Sequence, residues 1–241
     1  KTEVTLTNDT ITYGDALSEM SFEEVVFEDE AGNAVEGTLA WKEPSATPNA
    51  GTTSATWVFT PNNAEYASVE GTVAITVNKA TSNVTGVPTV ADLVYDGTAQ
   101  NLINAGTTTD GEMQYSLDGT NYSSAIPTGT DAGEYTVWYK VDGDENHNDT
   151  EPASIEVSIA PKSITVTADN ASKIYDENDP TFTYTATGLE GSDTLTGTLS
   201  RETGEKAGTY AITQGTLANP NYEITFVEGT FTINKATPPA L

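Results

Sequence analysis

One stretch of this chain carries donors for a metal ion. Residues 142–149 read DGDENHND, with oxygen-bearing side chains at two-residue spacing: Asp142, Asp144 and Asn146. Calcium loops open in this way, with hard oxygen ligands on alternate residues. The glutamate that would close a twelve-residue loop is missing, because Ala153 stands in its place. Asp, Asn and Gly are also turn formers, so a hairpin corner accounts for the same residues. Calcium at Asp142, Asp144 and Asn146 is the one cofactor the sequence suggests.

Other chemistries find less. His147 is the sole histidine, and it sits in that polar turn, where a surface role outweighs a general base beside a nucleophile. Cysteine is absent, which removes thiolate chemistry and disulfides together. With 36 acidic residues, some carboxylate pair is always close, so paired carboxylates carry no signal for glycoside hydrolysis. The chain reads as no enzyme. Glycan binding would use exposed rings. Trp138 lies out of phase with Tyr135, Val137 and Tyr139, which points it to solvent, and Tyr115 and Tyr122 are further candidates, as is Trp41. Against this stands the need of a sandwich core for aromatic side chains.

The elements that position these residues recur. Residues 71–80 read GTVAITVNKA, residues 229–236 read GTFTINKA, and residues 153–162 give the looser ASIEVSIAPK. Upstream of each ending lies an Ala-Gly turn: Ala50-Gly51, Ala132-Gly133 and Ala207-Gly208. Further upstream lies a tyrosine strand with Tyr13, Tyr95 and Tyr175, spaced 82 and 80 residues apart. Between the Ala-Gly strand and the ending comes an Asn-rich corner: Pro61-Asn62-Asn63, Asn146-His147-Asn148 and Asn219-Pro220-Asn221. A period near 80 exceeds a solenoid unit and suits a small domain. The expected domains are residues 1–79, 80–161 and 162–241, the last ending in linker-like residues.

Apolar residues alternate with threonine and acids. Ile164, Val166 and Ala168 share a face, as do Phe231 and Ile233, Ile75 and Val77, and Val157 and Ile159. Period-two patterning with one buried face predicts antiparallel sheets in an all-β chain. Short helical turns are admitted only at residues 17–24 and 189–195. The junctions at 78–80 and 160–162 are very short, which predicts three tandem small β domains, as Ig-like sandwiches or a β-grasp-like variant, in a semi-rigid elongated array.

Charge sets the partners. The chain carries 36 acids and 9 bases, a net charge of −27, and each repeat is acidic by itself. Nucleic acid and anionic membranes require lysine and arginine, so both are excluded as partners. Mutual repulsion favours a soluble monomer. No apolar run is long enough to span a bilayer as a helix. The start inside a strand and the TPPAL end read as a piece cut from a longer protein.

Residues 162–236, from KSITVTADNASKIYDENDPTFTYTATGLEGSDTLTG through AGTYAITQGTLANPNYEITFVEGTFTINKA, resemble the MBG domain of YGX type. At the namesake position Asp176 follows Tyr175 in place of glycine. Repeat 1 keeps Tyr13-Gly14-Asp15 and the NKA ending, and repeat 2, with Tyr95-Asp96-Gly97, resembles related YDG-like repeats of gut-bacterial surface proteins. The resemblance implies an extracellular β repeat of a bacterial cell-surface or secreted, adhesin-like protein. Its partners would be neighbouring domains of that protein. It implies no chemistry. An intramolecular lysine–asparagine isopeptide bond, conceivable in this class, would need a buried lysine beside an acid, and none of the eight lysines lies at an apolar alternate position.

Two functions compete. A spacer or stalk is supported by tandem repetition, short junctions and acidity. A module binding host or dietary glycan, such as mucin or starch, is supported by the aromatics of repeat 2, which is also the odd repeat, with a looser ending.

Overall fold

The computed structural model describes residues 3–238. Threonine, valine, isoleucine and the aromatics suit the pleated, half-buried surface of a sheet, and the described residues are all-β, organised as several small sheets. Among the described residues the one helical element is a 3-10 turn at Leu17–Glu19, while residues 189–195 form a non-helical turn. The chain divides into two compact units. One holds the residues up to Pro88 with Ala105–Ala125 and Trp138–Ser154; the other holds Thr89–Asn104, Ile126–Val137 and everything from Ile155 on.

In the first unit, Ser54–Pro61 pairs antiparallel with both Gly37–Trp41 and Val69–Ala74. Thr10–Thr12 runs parallel to Thr76–Asn78. Alternation sends Ile11, Ile75 and Val77 inward, where they meet Leu17, Met20 and Trp41. A second cluster holds Trp57 and Phe59, with Phe27 stacked on Phe59 at 3.9 Å. In the same unit Gly111–Ser116 pairs antiparallel with residues 138–143, burying Met113, Tyr115 and Val141.

The second unit shows the layering most clearly. Lys162–Ala168 lies between Tyr184–Thr187, antiparallel, and Tyr222–Val227, parallel. A second sheet orders Ala171–Ile174, Gly229–Asn234, Gly208–Thr213 and Ser200–Arg201. The first and last strands therefore run side by side through both sheets, switching layers together near Asn170, whose Oδ1 accepts the Thr230 amide at 2.7 Å. Ala168, Ile212, Phe231 and Ile233 fill the space between the layers, which makes this segment a β-sandwich.

The sequence repeat is a topological repeat. In each case the tyrosine strand lies parallel to the closing strand: Thr10–Thr12 with Thr76–Asn78, Leu93–Val94 with residues 159–160, and Ala171–Ile174 with residues 231–234. The tyrosine amide then donates to the last closing residue, Tyr13 to Asn78, Tyr95 to Ala160 and Tyr175 to Asn234, all at 2.8–2.9 Å. Directly after Tyr13 the chain turns through Gly14 at φ 99°, and after Tyr175 through Asp176 at φ 70°, the one described non-glycine residue with positive φ. Aspartate tolerates the left-handed region better than most side chains, which is how the third repeat does without glycine there.

Candidate functional site

The residues proposed for calcium each engage a different partner. Asp144 Oδ1 accepts the Asn146 amide at 2.8 Å and lies 2.8 Å from His147 Nδ1. Asp142 Oδ2 accepts from Gln114 Nε2 at 3.0 Å, and Asn146 Oδ1 accepts the Ala50 amide at 3.0 Å. Calcium needs six or more converging oxygens. Here one oxygen of each residue is hydrogen-bonded to a different partner, and among the described residues no three His, Cys, Asp or Glu side chains gather around one point.

The glycan candidates divide as well. Tyr115 is a core residue, 3% exposed, and its hydroxyl accepts the Gly106 amide at 2.8 Å. Trp41 is also buried, with Nε1 donating to Met20 O at 3.0 Å. Strand register pairs Ser116 with Trp138, so Trp138 and Tyr115 occupy opposite faces. Trp138 is half-buried against Gly119. Tyr122 has its hydroxyl buried and Lys140 Nζ 5.6 Å from its ring centroid. The expected aromatic platform is thereby reduced to partly covered rings.

What the structure does assemble lies at the repeat junctions, around the Asn corners. In the first unit, Asp144 folds a turn on the Asn146 amide, which aims the Asn146 carboxamide at the Ala-Gly turn of the preceding repeat. Asn146 binds twice. Its side-chain oxygen takes the Ala50 amide, and its carbonyl takes the Ala80 amide at 2.9 Å. The next residue, His147, packs its ring edge-on to Tyr13 at 5.2 Å and 82°. Lys79 Nζ donates to the carbonyls of Asp144 and His147 at 2.8 and 3.2 Å.

The second unit builds the same device from different residues. Asn219 Oδ1 accepts the Asn221 amide at 3.0 Å, and Asn221 Oδ1 accepts the Ala132 amide at 2.8 Å. The Asn221 carbonyl accepts the Lys162 amide at 2.9 Å. Tyr222 meets Tyr95 edge-on at 5.3 Å and 80°. Both hydroxyls donate to Asp193 Oδ2, at 2.6 Å from Tyr222 and 2.7 Å from Tyr95. The Tyr222 oxygen also accepts the Glu190 amide at 2.8 Å, and Lys162 is ion-paired with Glu190. Each junction thus closes an Ala-Gly amide on a corner asparagine and a repeated tyrosine on the ring that follows it.

Electrostatics mark the second junction. The hydrogen bond to Asp193, reinforced by burial, pushes the Tyr95 phenol up to about 12. Donation from Tyr222, then Tyr95, holds the Asp193 carboxyl below its ordinary value of 3.8. The signs differ. Asp193 stabilises the fold above the ordinary carboxylate range, and that contribution is lost as pH falls through its lowered folded value. Tyr95 stabilises below its ordinary value of 10, and that contribution is lost as pH rises through about 12. Spectrophotometric titration should find a tyrosine ionising near pH 12, and Asp193→Asn should return it toward 10. An unchanged titration curve in the variant would contradict the arrangement.

A buried lysine that alternation did not reveal is Lys173. Its side chain is 5% exposed, 2.8 Å from Asp179 Oδ1 and 2.6 Å from Glu205 Oε2. Arg201 bridges the same two carboxylates at 2.6 Å each and lies 5.0 Å over the Phe231 ring. A buried lysine beside acids therefore exists, contrary to the expectation from sequence. Amide formation with loss of water would need a neutral amine and a protonated carboxyl. Asp179 and Glu205 raise the lysine, while Arg201 and Lys173 lower Asp179, so both partners are held charged. The cluster is an ion-pair network, and the intact mass should equal that of the unmodified chain. A mass lower by one water, for a lysine–carboxylate amide, or by one ammonia, for a lysine–asparagine bond, would overturn this reading.

Residues 164–232 match the MBG domain (YGX type). The match covers the sandwich that carries Lys173, Arg201 and the Asn221 corner. Among solved structures, the chain is similar to Clostridium perfringens ZmpB, in a structure of its M60 catalytic domain with the CBM51-1 and CBM51-2 domains. Identity is 11%, the TM-score is 0.20, and coverage is 98% of this chain but 31% of that one. Drosophila N-cadherin EC1-4 gives 11% identity and a TM-score of 0.22, over 97% of this chain and 67% of that one. The chain spans less than a third of the length of the ZmpB structure. Among curated proteins no match was found.

The sequence left the junction groups unassigned. Spacing suggests Asn146 as a calcium ligand and Asn221 as a turn former, and marks nothing at Asp193. A signal was present: both corners have an Asp or Asn, one residue, Asn, then a ring, as Asp144-Glu145-Asn146-His147 and Asn219-Pro220-Asn221-Tyr222.

Proposed function

We propose that this chain is a non-catalytic spacer segment of a bacterial cell-surface or secreted, adhesin-like protein, made of three β repeats with boundaries near residues 79 and 161. The observation that carries the reading is the junction device, built twice from the same parts. A repeated contact that joins each repeat to the next serves to transmit position along a chain, and the acidic surface keeps such a chain soluble. The MBG-type match of residues 164–232 supports the surface-protein context. His147, the sole histidine, is engaged in the first junction, which supports a structural role for it.

The test is the fit of residual dipolar couplings from the three repeats to one alignment tensor. The spacer reading expects one tensor for the native chain and separate tensors after Asn146→Ala with Asn221→Ala. Separate tensors in the native chain, or retention of mucin glycans or starch on an array, would overturn it.

A further inference from the structure

The third repeat has the socket half of the junction with nothing seated in it. At the first two junctions the socket comprises the Ala-Gly amide, the amide of the residue two after the last closing residue, and the repeated tyrosine ring. Ala50, Ala80 and Tyr13 form the first; Ala132, Lys162 and Tyr95 form the second. The matching residues of the third repeat are Ala207, Ala236 and Tyr175. Ala207 and Ala236 are exposed, and no hydrogen bond from either amide is present among the described residues. Tyr175 is 44% exposed, where Tyr95 in its filled socket is 5% exposed. Beside it Ile174 is 46% exposed.

We propose that this face is a docking site for the corner of one further repeat, of the form Asx-X-Asn followed by an aromatic ring. The proposal rests on the spacer reading and extends it. The occupant is specified by the two filled sockets. A carboxamide oxygen takes the Ala207 amide, the same residue's carbonyl takes the Ala236 amide, and the ring meets Tyr175 edge-on. The third ending reads Asn234-Lys235-Ala236, like Asn78-Lys79-Ala80 at the first junction. Lys235 is thus placed as Lys79 is, which donates to two carbonyls of the corner, so a corner of the repeat 2 kind fits better than one of the repeat 3 kind.

Among the described residues the corner at Asn63 is seated on no Ala-Gly amide. Asn63 Oδ1 accepts the Glu65 amide at 3.1 Å, and Asn63 O accepts the Tyr66 amide at 3.2 Å, the same turn as at Asp144 and Asn219. Glutamate replaces the corner asparagine, and Tyr66 is 42% exposed. Joining two copies through Glu65 and Tyr175 would bring together chains of net charge −27. Repulsion between them favours a covalently continuous repeat over a second copy.

The experiment lengthens the chain, with residue 236 followed by a second copy of residues 81–238, and reads amide hydrogen exchange. Exchange at Ala207 should slow about tenfold relative to the original chain, reaching the protection of Ala50 and Ala132. Replacing the added copy of Asn146 by Ala should restore fast exchange at Ala207 while leaving Ala132 protected. Fast exchange at Ala207 in the lengthened chain, with Ala50 and Ala132 protected, would overturn this inference and leave the spacer reading standing. Fast exchange at all three would overturn both. Concentration-dependent protection of Ala207 in the original chain would overturn the serial repeat in favour of a second copy.

Discussion

Phe231→Ala is expected to destabilise the 162–238 sandwich by about 3–5 kcal/mol, the range for deleting a large buried ring. Phe231 is fully buried at the centre of the layer between the two sheets. Phe182 meets it edge-on at 5.4 Å, and Arg201 covers its face at 5.0 Å. Its strand pairs on both sides, with Ala171–Ile174 and with Gly208–Thr213, so the backbone cannot collapse into the cavity. The substitution also removes the apolar surface under Arg201, which holds Asp179 and Glu205 in place. Urea unfolding followed by hydrogen exchange at residues 164–233 would measure it. A loss below about 1 kcal/mol would mean that the two layers are not held by this ring.

Tyr222→Ala is expected to cost about 3 kcal/mol in the same unit, from a cavity at the junction together with unmet polar groups. Tyr222 is 6% exposed and does three things at once: it packs on Tyr95, donates to Asp193 and accepts the Glu190 amide. Tyr222→Phe separates these effects. It keeps the ring and should cost about 1–2 kcal/mol, because the Glu190 amide loses its acceptor and Asp193 one donor. The phenylalanine variant should also leave Asn221 on Ala132, so exchange at the Ala132 amide stays slow, whereas the alanine variant should speed it. Equal exchange at Ala132 in the two variants would show that the ring does not hold the corner against the preceding repeat.

Much of the fold was legible because alternation is a local property. Ile164, Val166 and Ala168, like Phe231 and Ile233, are buried as their spacing required, since a strand sends every second side chain to the same face. Tyr115 and Trp41 read as stacking rings because periodicity says which residues share a face and not which face is covered; they pack inside. Lys173 was missed for a related reason. Its neutralising partners are Asp179, past the following turn, and Glu205, remote in sequence, both also held by Arg201. Donor spacing along a chain does not fix where the lone pairs point: at the calcium candidate, the Asn146 Oδ1 atom is aimed at the Ala50 amide.

The sequence by itself determined the all-β class, the buried faces of the strands and the turn-forming corners, because each depends on residues adjacent in the chain. The tertiary structure decided what the corners hold. Asn146 and Ala50 are 96 residues apart, and Asn221 and Ala132 are 89 apart. A hydrogen bond across that separation exists only after distant parts of the chain have folded together, so no local pattern contains it.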